Sequence, residues 1–542
     1  MNSPSVAASA RATGLPAPRR RWLRTVRIGL AAVVVAFLLA YAVGQRGHTT
    51  WTRGTILAVE QDLVGAIWPL AQSFDSPRGY GYTGDNPYPH LIQGDFGGTA
   101  FYPPGYPFLL WITARALGDP MRATQLINAV AGVLFILASY WLAVGWTGKR
   151  GLALLSAAFV AGGAVFLTLA YAASTDLLAG AASTAALACT AWALRSPTRR
   201  RWVLLAGITL GLAFLLRRQT AVLLAPLIIL VVMSARGRPR EAVIRAGMLV
   251  GVFGLLALPD LLIQNSLHGS PLYGAHGKNI WNAVVNRYDW PAWHSVPNTI
   301  SALSVIVSAP AAFVGNWFGN LLYYAERLWL GPATLLALPG AYLLWRRRWL
   351  GKMTAAILGS AAFVVIVASV SERGDRHALI LVPTLAVPAA AALWYAVSRR
   401  WRLPVAAAIV ILAASVGIAH TAVNITVDLR VPHLDEVVAA LHEDGAQPDD
   451  VLTSFNSAHY AFYAGIGFVP LSGEVYTWDD LRRFMDEHGV RYYVARGIGF
   501  HVRRLTESLE PTAAPDWIDP IWVSQPDRDN GRIVLYRYDG GP

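Results

Sequence analysis

The chain alternates long apolar runs with short basic or longer polar stretches. Runs near 28–43, 121–145, 151–169, 176–194, 202–216, 219–235, 244–264, 328–345, 353–371, 377–397 and 403–423 each approach the ~20 residues a helix needs to cross ~30 Å of hydrocarbon. This pattern predicts a polytopic α-helical membrane protein of about eleven transmembrane helices. No small-residue cleavage site follows the first run cleanly, so it reads as an uncleaved span. The segment 301–327 is also apolar, but Pro310, Gly315, Asn316 and Asn320 interrupt it. It reads as an interfacial or re-entrant helix.

Three polar regions stand outside this framework. Residues 1–24 form a basic tail rich in Ala, Pro and Arg, and residues 25–425 contain two long loops, 45–110 and 265–327. The first loop holds Glu60, Asp62, Asp75, Asp85 and Asp95, a predicted short helix over Leu63 to Phe74, and the stiff run Tyr102-Pro103-Pro104-Gly105-Tyr106-Pro107. A loop of this length without regular structure is usually functional or disordered. From Val431 the periodicity changes: helices are predicted over 434–442 and 478–488, and strands over 450–453, 491–495 and 532–538. Residues 431–542 therefore read as a small α/β domain, a cap or acceptor-docking module.

Composition agrees with the pattern. The chain is 55% hydrophobic and only 14% charged, with a mean hydropathy of +0.41, whereas a soluble enzyme carries about 25% charged residues. The single cysteine, Cys189, lies in an apolar run and suggests neither disulfides nor thiol chemistry. The net charge of +13 does not point to nucleic acid, because it is split by region. Residues 1–430 hold 36 Lys and Arg against 14 Asp and Glu, while residues 431–542 hold 9 against 18.

The same charges orient the spans. With the N-terminus in the cytoplasm, the inner positions collect 23 of those 36 basic residues and one acid, Glu241. That bias follows the positive-inside rule and places both long loops and the C-terminal domain on the outer face. If 301–327 were a full crossing, parity would carry Arg346-Arg347-Arg348 outside.

Candidate chemistry gathers at the outer ends. Glu60 and Asp62 precede the short helix of the first loop. Asp176 begins a span, where a carboxylate must face water, protein or substrate; it could equally serve as a helix N-cap. Arg217 and Arg218 fill a tight turn, Lys278 follows the seventh span, and Arg373, Arg376 and His377 precede the tenth. Guanidinium forks match phosphate oxygens, although an interfacial Arg also snorkels toward water without any ligand.

In order, the chain shows the acidic first loop ending in Tyr102-Pro103-Pro104-Gly105-Tyr106-Pro107, then Ser174-Thr175-Asp176-Leu177-Leu178, then Gly211 to Thr220 with Arg217-Arg218. Pro259-Asp260, Asn265 to Tyr273 and Arg376-His377 before Leu381-Val382-Pro383 follow. This succession over residues 25–425 resembles the GT-C superfamily of polyprenyl-phosphate-sugar-dependent glycosyltransferases, in particular its aminoarabinose lipid A transferase and protein O-mannosyltransferase branch. The resemblance implies an inverting transferase of the plasma membrane that works on the extracytoplasmic face. It would take a polyprenyl-phosphate-linked sugar as donor and a lipid, glycan or protein as acceptor, with no nucleic acid involved. It further implies an early first-loop acid as catalytic base, Asp62 or Glu60, with Asp176 as the second-loop acid. Arg217, Arg218, Arg373, Arg376 and Lys278 would bind the donor phosphate, and Tyr102, His268, Tyr273 and His377 would line the substrate cavity. No cofactor is assigned. Some relatives use divalent cations, and His268, His276 and His377 are outer histidines, but they lack metal-ligand spacing.

The chemistry fits these residue types. A polyprenyl phosphate leaves readily once cations neutralise it, and one carboxylate can take the acceptor proton, so a single displacement suffices. Two other classes share the large outer loops: a flippase for a lipid-linked glycan, and a polymerase or ligase with a diphosphate-linked donor. Internal repeats, common in transporters, are not evident.

Overall fold

The computed structural model describes residues 17–51, 63–76, 79–81, 98–171, 174–196, 198–274, 276–286, 300–370, 373–397, 433–454, 458–471, 475–496, 505–525 and 532–540, with scattered positions between 401 and 415. Glu60, Asp62, Asp85, Asp95 and most of the expected span 403–423 lie outside the described residues.

The helices in chain order are α1 (Ala17–Trp51), α2 (Gly105–Leu117), α3 (Pro120–Thr147), α4 (Arg150–Ala161), α5 (Ala164–Tyr171), α6 (Asp176–Arg195), α7 (Arg201–Leu216), α8 (Leu224–Ser234), α9 (Pro239–His268), α10 (His276–Val284), α11 (Ala302–Ser308), α12 (Pro310–Glu326), α13 (Ala337–Trp345), α14 (Arg348–Ala368) and α15 (Leu381–Ala396). Among the described residues, five helices are long and apolar enough to cross a membrane: α1, α3, α6, α9 and α14. Two bent pairs, α4 with α5 at 57° and α11 with α12 at 110°, raise the number to seven if each pair is one crossing. The chain is thus a multi-pass membrane protein.

Local chemistry sets the helix ends. Asp119 caps α3 by accepting from the Met121 and Arg122 backbone N–H groups at 2.7 and 3.3 Å, Pro120 takes the first turn, and Gly148 closes the helix at φ +71°. Helix α3 packs on α6 and α4, α6 on α7, and α7 on α9. Their shared core includes Trp146, Leu187, Val203, Leu227 and Val387, and the Trp146 indole donates to Thr354 Oγ1 at 3.0 Å. A Cβ on Gly340 would stand 1.7 Å from the Pro388 carbonyl oxygen, so α13 and α15 cross closely only because this residue is glycine.

Three expectations change. The run 151–169 is not one helix but breaks at Gly162-Gly163. The run 328–345 is extended over Trp329–Pro332, where Gly331 takes φ +59°, and α-helical only from Ala337. Helix α2 takes up residues expected to be loop, because after Pro104 the apolar sequence from Tyr106 to Leu117 carries no further breaker beyond Pro107 in the first turn.

The segment 301–327 forms the bent pair α11–α12. Trp317 Nε1 donates to the Ile366 carbonyl at 3.1 Å, Asn320 Nδ2 to Ser369 at 2.8 Å, and the Tyr323 hydroxyl to Asp375 at 2.9 Å. Phe313, in the first turn of α12, packs in the same cluster as Val370. Both ends of α12 therefore stay at one end of α14, the end that also leads to Arg376 and His377.

The C-terminal region is a five-stranded sheet of β1 (Val451–Ser454), β2 (Gly467–Pro470), β3 (Tyr492–Arg496), β4 (Ile518–Val523) and β5 (Ile533–Tyr538) in the order β2-β1-β3-β5-β4. Strands β1, β2 and β3 are parallel, whereas β5 runs antiparallel to β3 and β4. Helices α16 (Leu434–Glu443), α17 (Ala458–Ala464) and α18 (Trp478–His488) accompany it. Thr477 and Asp480 form a capping box on α18, and Gly489 ends it at φ +60°. Strands β2 and β4 and helix α17 were not legible in the sequence. Helix α17 rests against Leu63–Ile67, so the sheet domain touches the short helical stretch that follows Asp62.

Candidate active site

The turn between α7 and α8 builds the centre of the site. Helix α7 ends when Arg217 becomes extended, and Arg218 opens a 3-10 turn through Leu223. The two adjacent guanidiniums therefore point to different partners. A Cβ on Gly105 would lie 2.5 Å from the Leu215 carbonyl oxygen, so only glycine lets the start of α2 close on this turn.

Arg217 faces Asp176. Its Nη1 pairs with the Asp176 carboxylate and donates to Thr175 Oγ1 at 3.2 Å, while Nε donates to Gln219 Oε1 at 3.1 Å. The Asp176 side chain is 1% exposed and that of Arg217 14%. Neither carboxylate oxygen of Asp176 receives a well-aligned hydrogen bond among the described residues, so the pairing is mainly Coulombic. Gln219 Oε1 also meets His377 Nδ1 at 3.1 Å. Because an oxygen only accepts, His377 carries its proton on Nδ1 in this arrangement. Asp176, Arg217, Gln219, Arg376 and His377 line one cavity of about 60 Å³, whose remaining wall is largely apolar and includes Leu223, Val364 and Ile380. Two cations, an imidazole and one carboxylate thus share a small recess with low-dielectric walls, where an anion is held far more strongly than in water.

Arg218 is engaged differently. Nε and Nη2 bind Asp260 Oδ2 and Oδ1 at 2.7 and 2.8 Å, and Nη1 donates to the Thr99 and Ala100 carbonyls at 3.0 and 3.1 Å. Asp260 is fully buried in α9, one residue after Pro259. This bidentate pair ties the end of the first loop to α9. Removing one partner strands a buried charge, which costs about 3–5 kcal/mol, whereas replacing both by apolar groups is often neutral. Arg218→Met and Asp260→Leu are each expected to lower thermal stability sharply, and the double variant to recover most of it, as measured by Tm in detergent.

Tyr80 and His268 lie near that pair, and Tyr102 and Tyr273 contact these two in turn. The Tyr80 hydroxyl donates to the Tyr102 carbonyl at 2.5 Å, and burial raises the Tyr80 phenol pKa despite the nearby Arg218, so it remains a neutral donor. His268 Nε2 lies 3.0 Å from Thr99 Oγ1, and its ring stacks on Tyr273. Lys278 is fully buried on α10, and it does not line the cavity. Arg373 is exposed, and its Nε donates to Asn320 Oδ1 at 3.1 Å, which fastens the tenth-span turn to α12. The residues singled out in the sequence thus separate into a cavity group (Asp176, Arg217, Arg376, His377) and a bracing group (Arg218, Tyr102, His268, Tyr273). Lys278 and Arg373 do not line the cavity, and Glu60 and Asp62 lie outside the described residues. Sequence reasoning missed Gln219, which bridges Arg217 and His377, and gave no site role to Asp260, whose signal was a lone carboxylate inside an apolar run. Among the described residues, no three His, Cys, Asp or Glu side chains converge as a metal site would require.

Residues 102–262 match the family model described as dolichyl-phosphate-mannose-protein mannosyltransferase. No curated protein matches the chain by sequence. The fold is similar to ArnT from Cupriavidus metallidurans bound to undecaprenyl phosphate, with a TM-score of 0.53 at 14% identity over 93% of this chain and 99% of that one. It is also similar to the Archaeoglobus fulgidus oligosaccharyltransferase tethered with an acceptor peptide, with a TM-score of 0.55 at 15% identity over 86% of this chain and 69% of that one. The fold is that of GT-C membrane glycosyltransferases, and the family match over residues 102–262 supports the same assignment. The family-model match spans the end of the first loop, Asp176, the Arg217-Arg218 turn and Asp260, so it covers most of the cavity and its brace.

Proposed function

We propose that this GT-C glycosyltransferase moves a sugar from a polyprenyl-monophosphate donor to an acceptor hydroxyl on the extracytoplasmic face of the plasma membrane, inverting the anomeric centre. The observation that carries the reading is the convergence of Arg217, Arg376 and His377 on one cavity whose wall continues into apolar helix surface. The eleven crossings expected from the sequence, with the N-terminus in the cytoplasm, would put this cavity outside, in keeping with the basic residues gathered at the opposite loops.

In this mechanism the donor phosphate occupies the recess, and its isoprenoid chain leaves past Leu223 and Val364 into the bilayer. Arg217 and Arg376 neutralise the charge that grows on the phosphate as the glycosidic bond breaks. His377, donating from Nδ1 to Gln219, fixes the amide that in turn orients Arg217. Asp176 holds Arg217 from the other side. The acceptor hydroxyl gives its proton to Asp62, with Glu60 as the alternative base, while its oxygen bonds to the anomeric carbon. Polyprenyl phosphate departs, and the protonated carboxyl returns its proton to water. The C-terminal sheet domain, resting on the stretch after Asp62, guides the acceptor, which is a lipid, a glycan or a protein.

Purified protein in proteoliposomes is expected to transfer label from polyprenyl-monophosphate sugars, and not from diphosphate-linked ones. Label that crosses the membrane without covalent change would instead mark a flippase.

A further inference from the structure

A second cavity lies between α8 and α14, on the flank of the bundle below the site. Its volume is about 530 Å³, within the range of roughly 300–1,000 Å³ typical of ligand pockets. Ala225, Pro226, Ile229 and Met233 form one wall, and Ala355, Gly359 and Phe363 belong to the other. Its one polar group besides the far-end cation is Ser360, whose hydroxyl already donates to the Ala356 carbonyl at 2.8 Å. The groove is therefore suited to a hydrocarbon chain.

Lys352 closes its far end. Neighbouring cations have partners: Arg347 lies 4.0 Å over the Tyr395 ring, and Arg346 lies over Tyr342. Among the described residues Lys352 makes no ion pair. It precedes Val364, a wall residue of the site cavity, by twelve helical positions, or roughly 18 Å of rise. An ammonium that far down α14 cannot share the phosphate held at Arg217 and Arg376, so an anion bound there is a different one.

We propose that this groove binds an anionic phospholipid of the leaflet opposite the site, with one acyl chain between α8 and α14 and its phosphate on Lys352. Charge complementarity selects this occupant: a zwitterionic lipid supplies the same chain but no net charge for Lys352. One consequence follows from continuity, since α8 and α14 both lead directly to site-cavity wall residues, Leu223 and Val364. The bound chain then sets their separation.

Native mass spectrometry of the full-length protein tests this, with phosphatidylglycerol, phosphatidylcholine of matched chains, and undecaprenyl phosphate as probes. Phosphatidylglycerol is expected to remain bound where phosphatidylcholine is stripped. Lys352→Glu should weaken it by about tenfold, given the worth of one basic residue near an anionic leaflet. A Cβ on Gly359 meets no atom within 4 Å, so Gly359→Leu fills the groove without backbone strain and should abolish retention. Arg240→Glu, the same charge change on an exposed residue away from the groove, should leave it unchanged. Equal losses in Lys352→Glu and Arg240→Glu would reduce the effect to general surface charge and overturn the proposal. So would a Gly359→Leu variant that loses undecaprenyl phosphate while keeping phosphatidylglycerol, because the groove would then hold the donor's chain. Should Gly359→Leu fail to fold, the comparison of the two charge variants decides alone. None of these readouts depends on sugar transfer, so the site could fail its own test and leave this one standing.

Discussion

Asp62→Asn is expected to abolish sugar transfer, while Glu60→Gln keeps it within a few-fold of wild type. Asparagine preserves the size and polarity of the side chain but cannot take the acceptor's proton, and general-base catalysis contributes about 10²–10⁴-fold. The loss should appear in kcat with donor Kd unchanged, because the carboxylate meets the acceptor and not the phosphate. The choice of Asp62 rests on its place directly before Leu63–Ile67, the stretch that α17 of the sheet domain touches. Loss in Glu60→Gln with retention in Asp62→Asn would transfer the role to Glu60. Retention in both would remove the first-loop base from the mechanism.

Arg217→Gln should be nearly as damaging, by two separable routes. It removes a cation from the phosphate recess, for which about 10²–10³-fold in kcat/KM is a fair scale. It also leaves the Asp176 carboxylate, 1% exposed, without its counter-charge, and breaking a buried pair in this way costs about 3–5 kcal/mol. Adding Asp176→Asn neutralises the stranded charge, so the double variant should regain most of the lost Tm but none of the transfer. Recovery of both together would mean that Arg217 acts only as the partner of Asp176 and does not meet the donor. Thr175 and Gln219 lose the same Arg217 donors in the single and the double variant, so the difference between the two isolates the Asp176 charge.

The Arg217-Arg218 turn illustrates how adjacent residues with the same side chain diverge. Both looked like phosphate ligands in the sequence. The backbone places Arg217 in an extended conformation at the end of α7 and Arg218 at the start of a 3-10 turn, and that change of direction aims one fork at Asp176 and the other at Asp260. Nothing in the local sequence carries this information, because the partners lie 41 and 42 residues away in opposite chain directions.

What the sequence determined by itself was everything that depends on one segment and its solvent. The apolar runs, the split of charge between the two parts of the chain, the capped α3 and α18, and the position of Asp176 at a helix start are all local matters of burial, hydrogen bonding and membrane electrostatics. Tertiary structure decided which of the outer polar groups meet. Only packing of α6, α7 and the segment before α15 brings Asp176, Arg217, Arg376 and His377 to one recess, recruits Gln219 between them, and engages Arg218 with a carboxylate buried in α9. Packing likewise divided the expected helix 328–345 and laid α12 along the end of α14. The physical reason is range: hydropathy and capping act within a few residues, whereas an ion pair in a low-dielectric interior joins groups that the chain keeps dozens of positions apart.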